Sequence, residues 1–190
     1  MEPDAGPVLI AIARAAIARA IDAAFGESCE SADWLSEQRA TFVTLRKNGD
    51  LRGCVGTIEA RRSLREDVKV NAVGAALRDP RFTPVTRNEL DVIDIEVSVL
   101  TPLVRLDVAN EEEAIAALRP FADGIVLEHA SARSTFLPQV WEDLPDPAEF
   151  LRQLKRKAGL PAHRWSGDLR LFRYAVTKWS ETGRRAVQSA

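Results

Sequence analysis

The sequence predicts an α+β protein with a largely antiparallel sheet and flanking helices. Three observations lead there. Helical and strand-like stretches are interspersed without the regular β-α-β spacing that a parallel sheet requires. Asn48-Gly49 separates two β-like runs, 41 to 46 and 51 to 58, which is the pattern of a tight hairpin. Ile93, Ile95, Val97 and Val99 then alternate with Asp94, Glu96, Ser98 and Leu100, as a half-buried antiparallel strand does.

The remaining elements follow in chain order. Leu9, Ile12, Ala13, Ala16, Ile17, Ala20, Ile21 and Ala24 recur at helical spacing, with Pro7 suited to the first turn and Gly26 to the exit. A polar, acidic connection over 27 to 37 leads into the hairpin. Ser63 and Glu66 have capping-box spacing ahead of Leu64, Val68, Ala72, Ala75 and Ala76, so a second helix runs until Asp79-Pro80 stops it. After an irregular stretch, 81 to 88, comes the alternating strand, which ends at Pro102. Asn110 and Glu113 open a short helix through Leu118, and Asp123-Gly124 turns the chain into a strand over 125 to 128 with a partner over 134 to 137. Asp146-Pro147-Ala148-Glu149 supplies an N-cap, a first-turn proline and an N3 acid, predicting a helix over 147 to 158 with Gly159 after it. Residues 169 to 179 alternate as one last strand.

Composition narrows the functional classes. With 190 residues, 46% hydrophobic and 28% charged, the chain has the material for one domain or two small lobes, and disordered, collagen-like and coiled-coil classes drop out. Lys plus Arg number 26 against 28 Asp plus Glu, so at a net charge of −2 nothing global attracts nucleic acid or anionic lipid. Basic residues are not interleaved with aromatics, which places nucleic-acid binding last. The excess of arginine over lysine suits recognition of phosphate or carboxylate, and a GC-rich coding bias explains it equally well. Cys29, Cys54 and two histidines are too few for a disulfide framework or an all-protein zinc site, so no metal or cofactor is expected. Residues 8 to 25 are largely apolar, but the acidic start and the interruptions at Arg14 and Arg19 fit neither a signal peptide nor a membrane span. A cytoplasmic protein is the expectation.

Chemistry is sought where residue types look out of place. Leu51-Arg52-Gly53-Cys54-Val55-Gly56-Thr57 places two glycines inside a strand, at a cost in packing and entropy, and glycine lets another backbone or a ligand come close. Regular strand periodicity sets Arg52 and Cys54 on one face, where a guanidinium would favour the thiolate. A buried structural cysteine and a bulge are the plainer reading of the same residues. Glu96 and Ser98 lie opposite the apolar side of their strand, on a face that is either solvated or functional. His129, following Glu128, is a general-base candidate or a hydrogen-bonded surface residue. Asp79 and Arg81 either pair with each other or leave Arg81 to bind an anion. No Walker loop, dinucleotide fingerprint, zincin helix or nucleophile elbow is present.

The heptapeptide 51 to 57 resembles the signature of the AMMECR family, also called protein A of the AmmeMemoRadiSam system. Asn71-Ala72, Asp79-Pro80-Arg81-Phe82, Ile95 through Pro102, Phe136-Leu137-Pro138-Gln139-Val140-Trp141 and Phe150 through Leu160 are similar to its other segments, in order. Val55 stands where the family often has Ile. The resemblance covers about residues 8 to 180 as a single domain, leaving 1 to 7 and 181 to 190 as tails. It implies an α+β fold of two lobes, the larger built from both chain ends, with a cleft between them. It implies no established reaction. The system name implies a Memo-like protein and a radical SAM protein as partners, and this chain lacks the cysteine run of the latter.

Three functions are therefore carried forward. In the binding reading the protein is an accessory or ligand-binding one, with Arg52, Gly53, Gly56, Thr57, Arg81 and Gln139 as the ligand-binding candidates for a small anionic ligand or partner. In the enzyme reading Cys54 is nucleophile or acid toward a small anionic substrate, with Glu96 or His129 as proton-transfer partner. Nucleic-acid binding comes third.

Overall fold

The computed structural model describes residues 5–22, 26, 31–163, 165–181 and 187–188. They form an α+β structure with two sheets, distributed over two compact units. Unit 1 draws on Met1–Leu100 and Thr177–Gln188, and unit 2 on Thr101–Val176.

Unit 1 is a five-stranded sheet with two helices. The helices are α1 (Ala5–Ile21) and α2 (Leu64–Leu77); the strands are β1 (Thr41–Lys47), β2 (Asp50–Gly56), β3 (Ile93–Leu100), β8 (Val176–Ser180) and β9 (Val187–Gln188), ordered β2-β1-β3-β8-β9. The hairpin is as the Asn48-Gly49 pair demands: both residues have positive φ, 54° and 88°, and link β1 to β2 directly. Alternation decides which face is buried. Val43 and Leu45 of β1, with Ile93, Ile95, Val97 and Val99 of β3, join Leu9, Ile12 and Ile17 of α1 and Val68, Ala72 and Ala75 of α2 in one core. Phe42, Thr44, Arg46, Glu96 and Ser98 therefore occupy the sheet face turned away from this core, and each is half-buried.

The α2 cap matches expectation, since the Ser63 side chain accepts the Glu66 N–H. Helix α1 stops at Ile21, five residues before Gly26, and the expected Ala24 lies outside the described residues. The acidic connection contains a 3-10 turn, Asp33–Ser36, that buries Leu35.

Unit 2 is a four-stranded sheet, β4 (Val104–Leu106), β5 (Gly124–His129), β6 (Ala132–Phe136) and β7 (Arg170–Tyr174), ordered β4-β7-β5-β6, with helices α3 (Glu111–Ala117) and α4 (Pro147–Lys157). Asn110 caps α3 through the Glu113 N–H, and Asp146 caps α4 through Ala148 and Glu149. Trp141 stacks on Phe150 at 3.7 Å in the core, and its indole N–H donates to the Asp123 carbonyl at 2.7 Å.

Two expectations need correction. The last strand, read as continuous over 169 to 179, is two strands meeting at Ala175, β7 in the sheet of unit 2 and β8 in that of unit 1. The buried phase shifts between Leu171 and Tyr174, but no Gly or Pro interrupts residues 169 to 179 at the junction to mark the change of sheet. Strand β4 was not expected, because three residues after Pro102 are too short to display a period.

Candidate functional site

The heptapeptide 51 to 57 forms most of β2 and the residue after it, and nearly every member has a definite task in the fold. Arg52 and Cys54 do not share a face, contrary to the regular-strand expectation. Leu45 pairs with Gly53 and Arg46 with Leu51, so Arg52 is the extra residue of a bulge. The bulge sends the Arg52 guanidinium to Glu89, with Nε and Nη2 at 3.0 and 3.1 Å from its two oxygens, and to the Thr83 carbonyl at 2.9 Å. Lys47 joins the same carboxylate at 3.0 Å. All three guanidinium nitrogens of Arg52 are thus held by the segment 83 to 89, which they fasten to β2.

This pairing pulls the Glu89 carboxyl down to about 2 from an ordinary 4.5, chiefly through Arg52, aided by the Thr86 N–H and Lys47. A depressed acid stabilises the fold fully above its unfolded pKa and loses that contribution as pH falls through its folded one. Wild-type stability is accordingly expected to fall between about pH 4.5 and pH 2 more steeply than that of Glu89→Gln, measured by urea unfolding at stepped pH.

Gly53 meets the second helix. A Cβ there would stand 2.1 Å from the Ala75 carbonyl oxygen, so only glycine lets α2 lie this close to β2. Gly56 is covered by Phe42, whose ring would be 2.2 Å from an added Cβ. The Thr57 hydroxyl donates to Asp67 at 2.7 Å, and the Thr57 N–H to the Thr41 carbonyl at 2.9 Å. Asp67 is 1% exposed and acts as a hub: the same oxygen also accepts from the Thr41 N–H and hydroxyl and from the Asn71 amide, while Arg62 reaches its other oxygen.

Cys54 is divided between two roles. Its backbone faces the open edge of β2, where Asp79 accepts the N–H at 2.8 Å and Arg81 reaches the carbonyl at 3.4 Å. Asp79 and Arg81 are themselves joined by a two-pronged ion pair, at 3.0 and 2.7 Å, which holds the Asp79 carboxyl well below the usual carboxylate range. Phe82 lies between the Arg52 and Arg81 guanidiniums, 6.0 and 5.5 Å from its ring centre. The edge of β2 is in this way capped by the segment 79 to 82, which answers the liability of an open strand.

The Cys54 side chain points elsewhere. Its half-buried free thiol accepts a hydrogen bond from the Thr44 hydroxyl at 3.3 Å, and Thr44 is in turn the cross-strand neighbour of Glu96. Glu96, 15% exposed, accepts from Arg46 at 2.8 Å and lies 3.7 Å from the Lys178 ammonium. Cys54, Thr44 and Glu96 therefore form a row across β2, β1 and β3, flanked by Arg46 and Lys178, on the face away from α1 and α2. Sequence reasoning found Cys54 and Glu96 and missed the other three. Thr44 and Arg46 follow from the hairpin register once it is known, whereas nothing local points to Lys178.

The remaining candidates belong to unit 2. His129 ends β5, and its Nε2 is 3.2 Å from an Asp168 oxygen that also accepts from the Ser166 hydroxyl. Gln139 is exposed on the short helix Pro138–Glu142. Among the described residues no group of three or more His, Cys, Asp or Glu is arranged to hold a metal ion, and no helix is long and apolar enough to cross a membrane.

Comparisons with known proteins show the family. The family model described as AMMECR1 matches residues 10–179. The chain belongs to the AMMECR1 family. A protein of Methanothermobacter thermautotrophicus is 38% identical over 184 residues, 95% of this chain and 96% of its own. One from Methanocaldococcus jannaschii is 37% identical over 77% of this chain and 75% of its own. Among solved structures, an uncharacterized protein from Pyrococcus horikoshii superposes with a TM-score of 0.82 at 31% identity, covering 93% of this chain and 91% of that one. In this AMMECR1-family chain, the hydrogen bonds and close contacts above give the Arg52, Gly53, Gly56 and Thr57 positions a structural reason to be what they are.

Proposed function

We propose that this AMMECR1-family protein is an accessory, ligand-binding protein whose binding surface is the sheet face around Cys54. The observation that carries the reading is a subtraction. Arg52, Gly53, Gly56 and Thr57 are engaged by the fold itself, and the Cys54 thiol is left on the opposite face among Thr44, Glu96, Arg46 and Lys178. Two cations, one carboxylate, a hydroxyl and a thiol suit a small ligand with an anionic group, and Arg46 is the guanidinium best placed to meet it. Arg52 and Arg81, read from sequence as anion binders, serve here as clamps that hold the strand bearing the thiol.

Binding is favoured over catalysis by the groups that surround the sulfur. A general base must accept the thiol proton, whereas the Thr44 hydroxyl beside the sulfur is no base at neutral pH, and Glu96 is already taken by two cations. A Cys54-centred enzyme acting on a small anionic substrate is the alternative. A Memo-like protein and a radical SAM protein are the proposed partners, supported by the family resemblance alone.

The test is a thermal-shift screen of small carboxylates and phosphates, and of purified Memo-like and radical SAM proteins, against wild type, Cys54→Ser and Glu96→Gln. The expected result is a ligand that raises the wild-type Tm, raises that of both variants less, slows alkylation of Cys54 and is recovered chemically unchanged. Equal stabilisation of all three proteins would remove the thiol face from consideration. Consumption of the compound by wild type alone would establish the enzyme instead.

A further inference from the structure

Phe121 and Val104 are the most exposed large hydrophobic residues among those described, at 57% and 58%. Both sit around Arg173 in unit 2. Val104 is the β4 partner of Arg173 in the β7 register, and the Arg173 guanidinium lies 3.8 Å from Asp123, two residues after Phe121. Phe121 has φ 64°, a left-handed conformation that a bulky aromatic residue rarely adopts.

The loop around Phe121 is firmly made. Arg119 donates through its N–H, Nε and Nη2 to the buried Asp123 carboxylate at 3.1, 2.9 and 2.6 Å, and the Ala122 and Asp123 N–H groups close back on the Arg119 carbonyl. Trp141 anchors the Asp123 carbonyl from the core. The fold thus spends strain to hold an aromatic side chain in water, where it gains no packing. A rigid aromatic presented beside arginines is the composition of an interface anchor.

Beside it runs a strand with an edge its own sheet does not use. β4 is the terminal strand of the four-stranded sheet, and Arg105 within it and Asp107 one residue past its end are exposed, at 62% and 94% of the side chain, only 3.8 Å apart. Their two-residue spacing is self-complementary. If two β4 edges meet antiparallel about a two-fold axis at Leu106, Arg105 of each copy faces Asp107 of the other.

We infer that this face of unit 2 docks a second copy of the chain, through antiparallel β4 edges with Phe121 and Val104 closing over the contact. A three-residue strand with two apolar side chains covers less than the roughly 800 Å² per partner of a standard interface, so the dimer is a weak one, with Kd in the micromolar range or above.

Sedimentation velocity of the full chain over about 5 to 500 μM, the range in which so small an interface is populated, tests this. Wild type is expected to dimerise reversibly. Phe121→Asn, which keeps a residue tolerant of left-handed backbone, should weaken the dimer about tenfold without unfolding the protein. Arg105→Asp should weaken it about tenfold or more by setting like charges opposite each other, and adding Asp107→Arg should restore it. Wild type that stays monomeric throughout overturns the inference, as does a dimer indifferent to both single changes or one that the charge swap does not rescue. Monomeric wild type that instead cosediments with phosphatidylserine-containing vesicles, and loses this with Phe121→Asn, would assign the face to a lipid surface and likewise overturn it.

Discussion

Asp67→Ala is expected to lower stability by about 3 to 5 kcal/mol, enough to unfold much of the population of a domain of ordinary stability. The carboxylate is 1% exposed, and one of its oxygens alone accepts four hydrogen bonds, from the Thr41 N–H and hydroxyl, the Thr57 hydroxyl and the Asn71 amide. Truncation orphans the Thr41 and Thr57 donors, whereas the Asn71 amide keeps the Thr41 carbonyl at 3.0 Å and Arg62, 40% exposed, loses its ion pair but reaches water. Each buried donor left without a partner costs on the order of 1 to 3 kcal/mol, and a water entering the gap recovers only part of that. Asp67→Asn should do less damage, because one oxygen survives while the new amide N–H₂ group faces either Arg62 or the cluster of donors. Glu66, next in sequence but with its side chain 53% exposed, is the internal control, and its replacement by Ala should change stability by less than about 0.5 kcal/mol. Urea midpoints of the three variants against wild type, with m unchanged, decide the matter.

Gly53→Ala is the second large effect, and it arises from one methyl group. The added carbon would stand 2.1 Å from the Ala75 carbonyl oxygen, a backbone atom of α2 that cannot rotate away. Either α2 or β2 must shift, and Val55 against Gly74, at 2.9 Å for an added Cβ, shows that their contact has little slack on either side. The expected loss is about 3 kcal/mol, at the upper end of overpacking costs. Gly56→Ala should cost somewhat less, since the backbone atom that an added Cβ meets there, the Thr41 carbonyl oxygen, stands at 2.6 Å rather than 2.1 Å and the rest of the obstruction is the Phe42 side chain. If the two alanine variants melt together, the helix is not the constraint at position 53.

These two residues also show what the sequence discloses and what it hides. Helix N-caps, the Asn-Gly hairpin and the alternation of β3 are local chemistry, readable within a few residues, and each appears where its residues place it. The two glycines of β2 were legible as places of close approach, but not as contacts with α2 and Phe42 in particular. Arg52 misled because periodicity assumes a regular strand. The bulge depends on pairing with β1, and no property of residues 51 to 54 by themselves announces it. Asp67 and Glu89 passed unnoticed for a related reason. An acidic residue in the first turn of α2 looks like ordinary solvated charge until Thr41 and Thr57 are brought to it from twenty-six and ten residues away. For Cys54 the residue type was conspicuous, and only the register of three strands could say that its neighbours are Thr44 and Glu96.

The change of sheet at Ala175 has a consequence for synthesis on the ribosome. Unit 2 is one unbroken stretch of chain between Thr101 and Val176, so its partners are all present once that stretch has emerged. Unit 1 must wait. β3 lies between β1 and β8 in the finished sheet, and until β8 arrives its outer edge, Ile93 to Leu100, is an unpaired row of backbone donors and acceptors carrying five buried aliphatic side chains. A further tie comes just after β8: Arg14, in the first helix, grips Glu181 with Nε at 2.7 Å, and the same carboxylate accepts the Ile95 N–H at 2.8 Å. A nascent chain halted after unit 2 has emerged but before β8 thus displays a template for aggregation in its first hundred residues while its middle is already folded, and β8 is what retires that hazard.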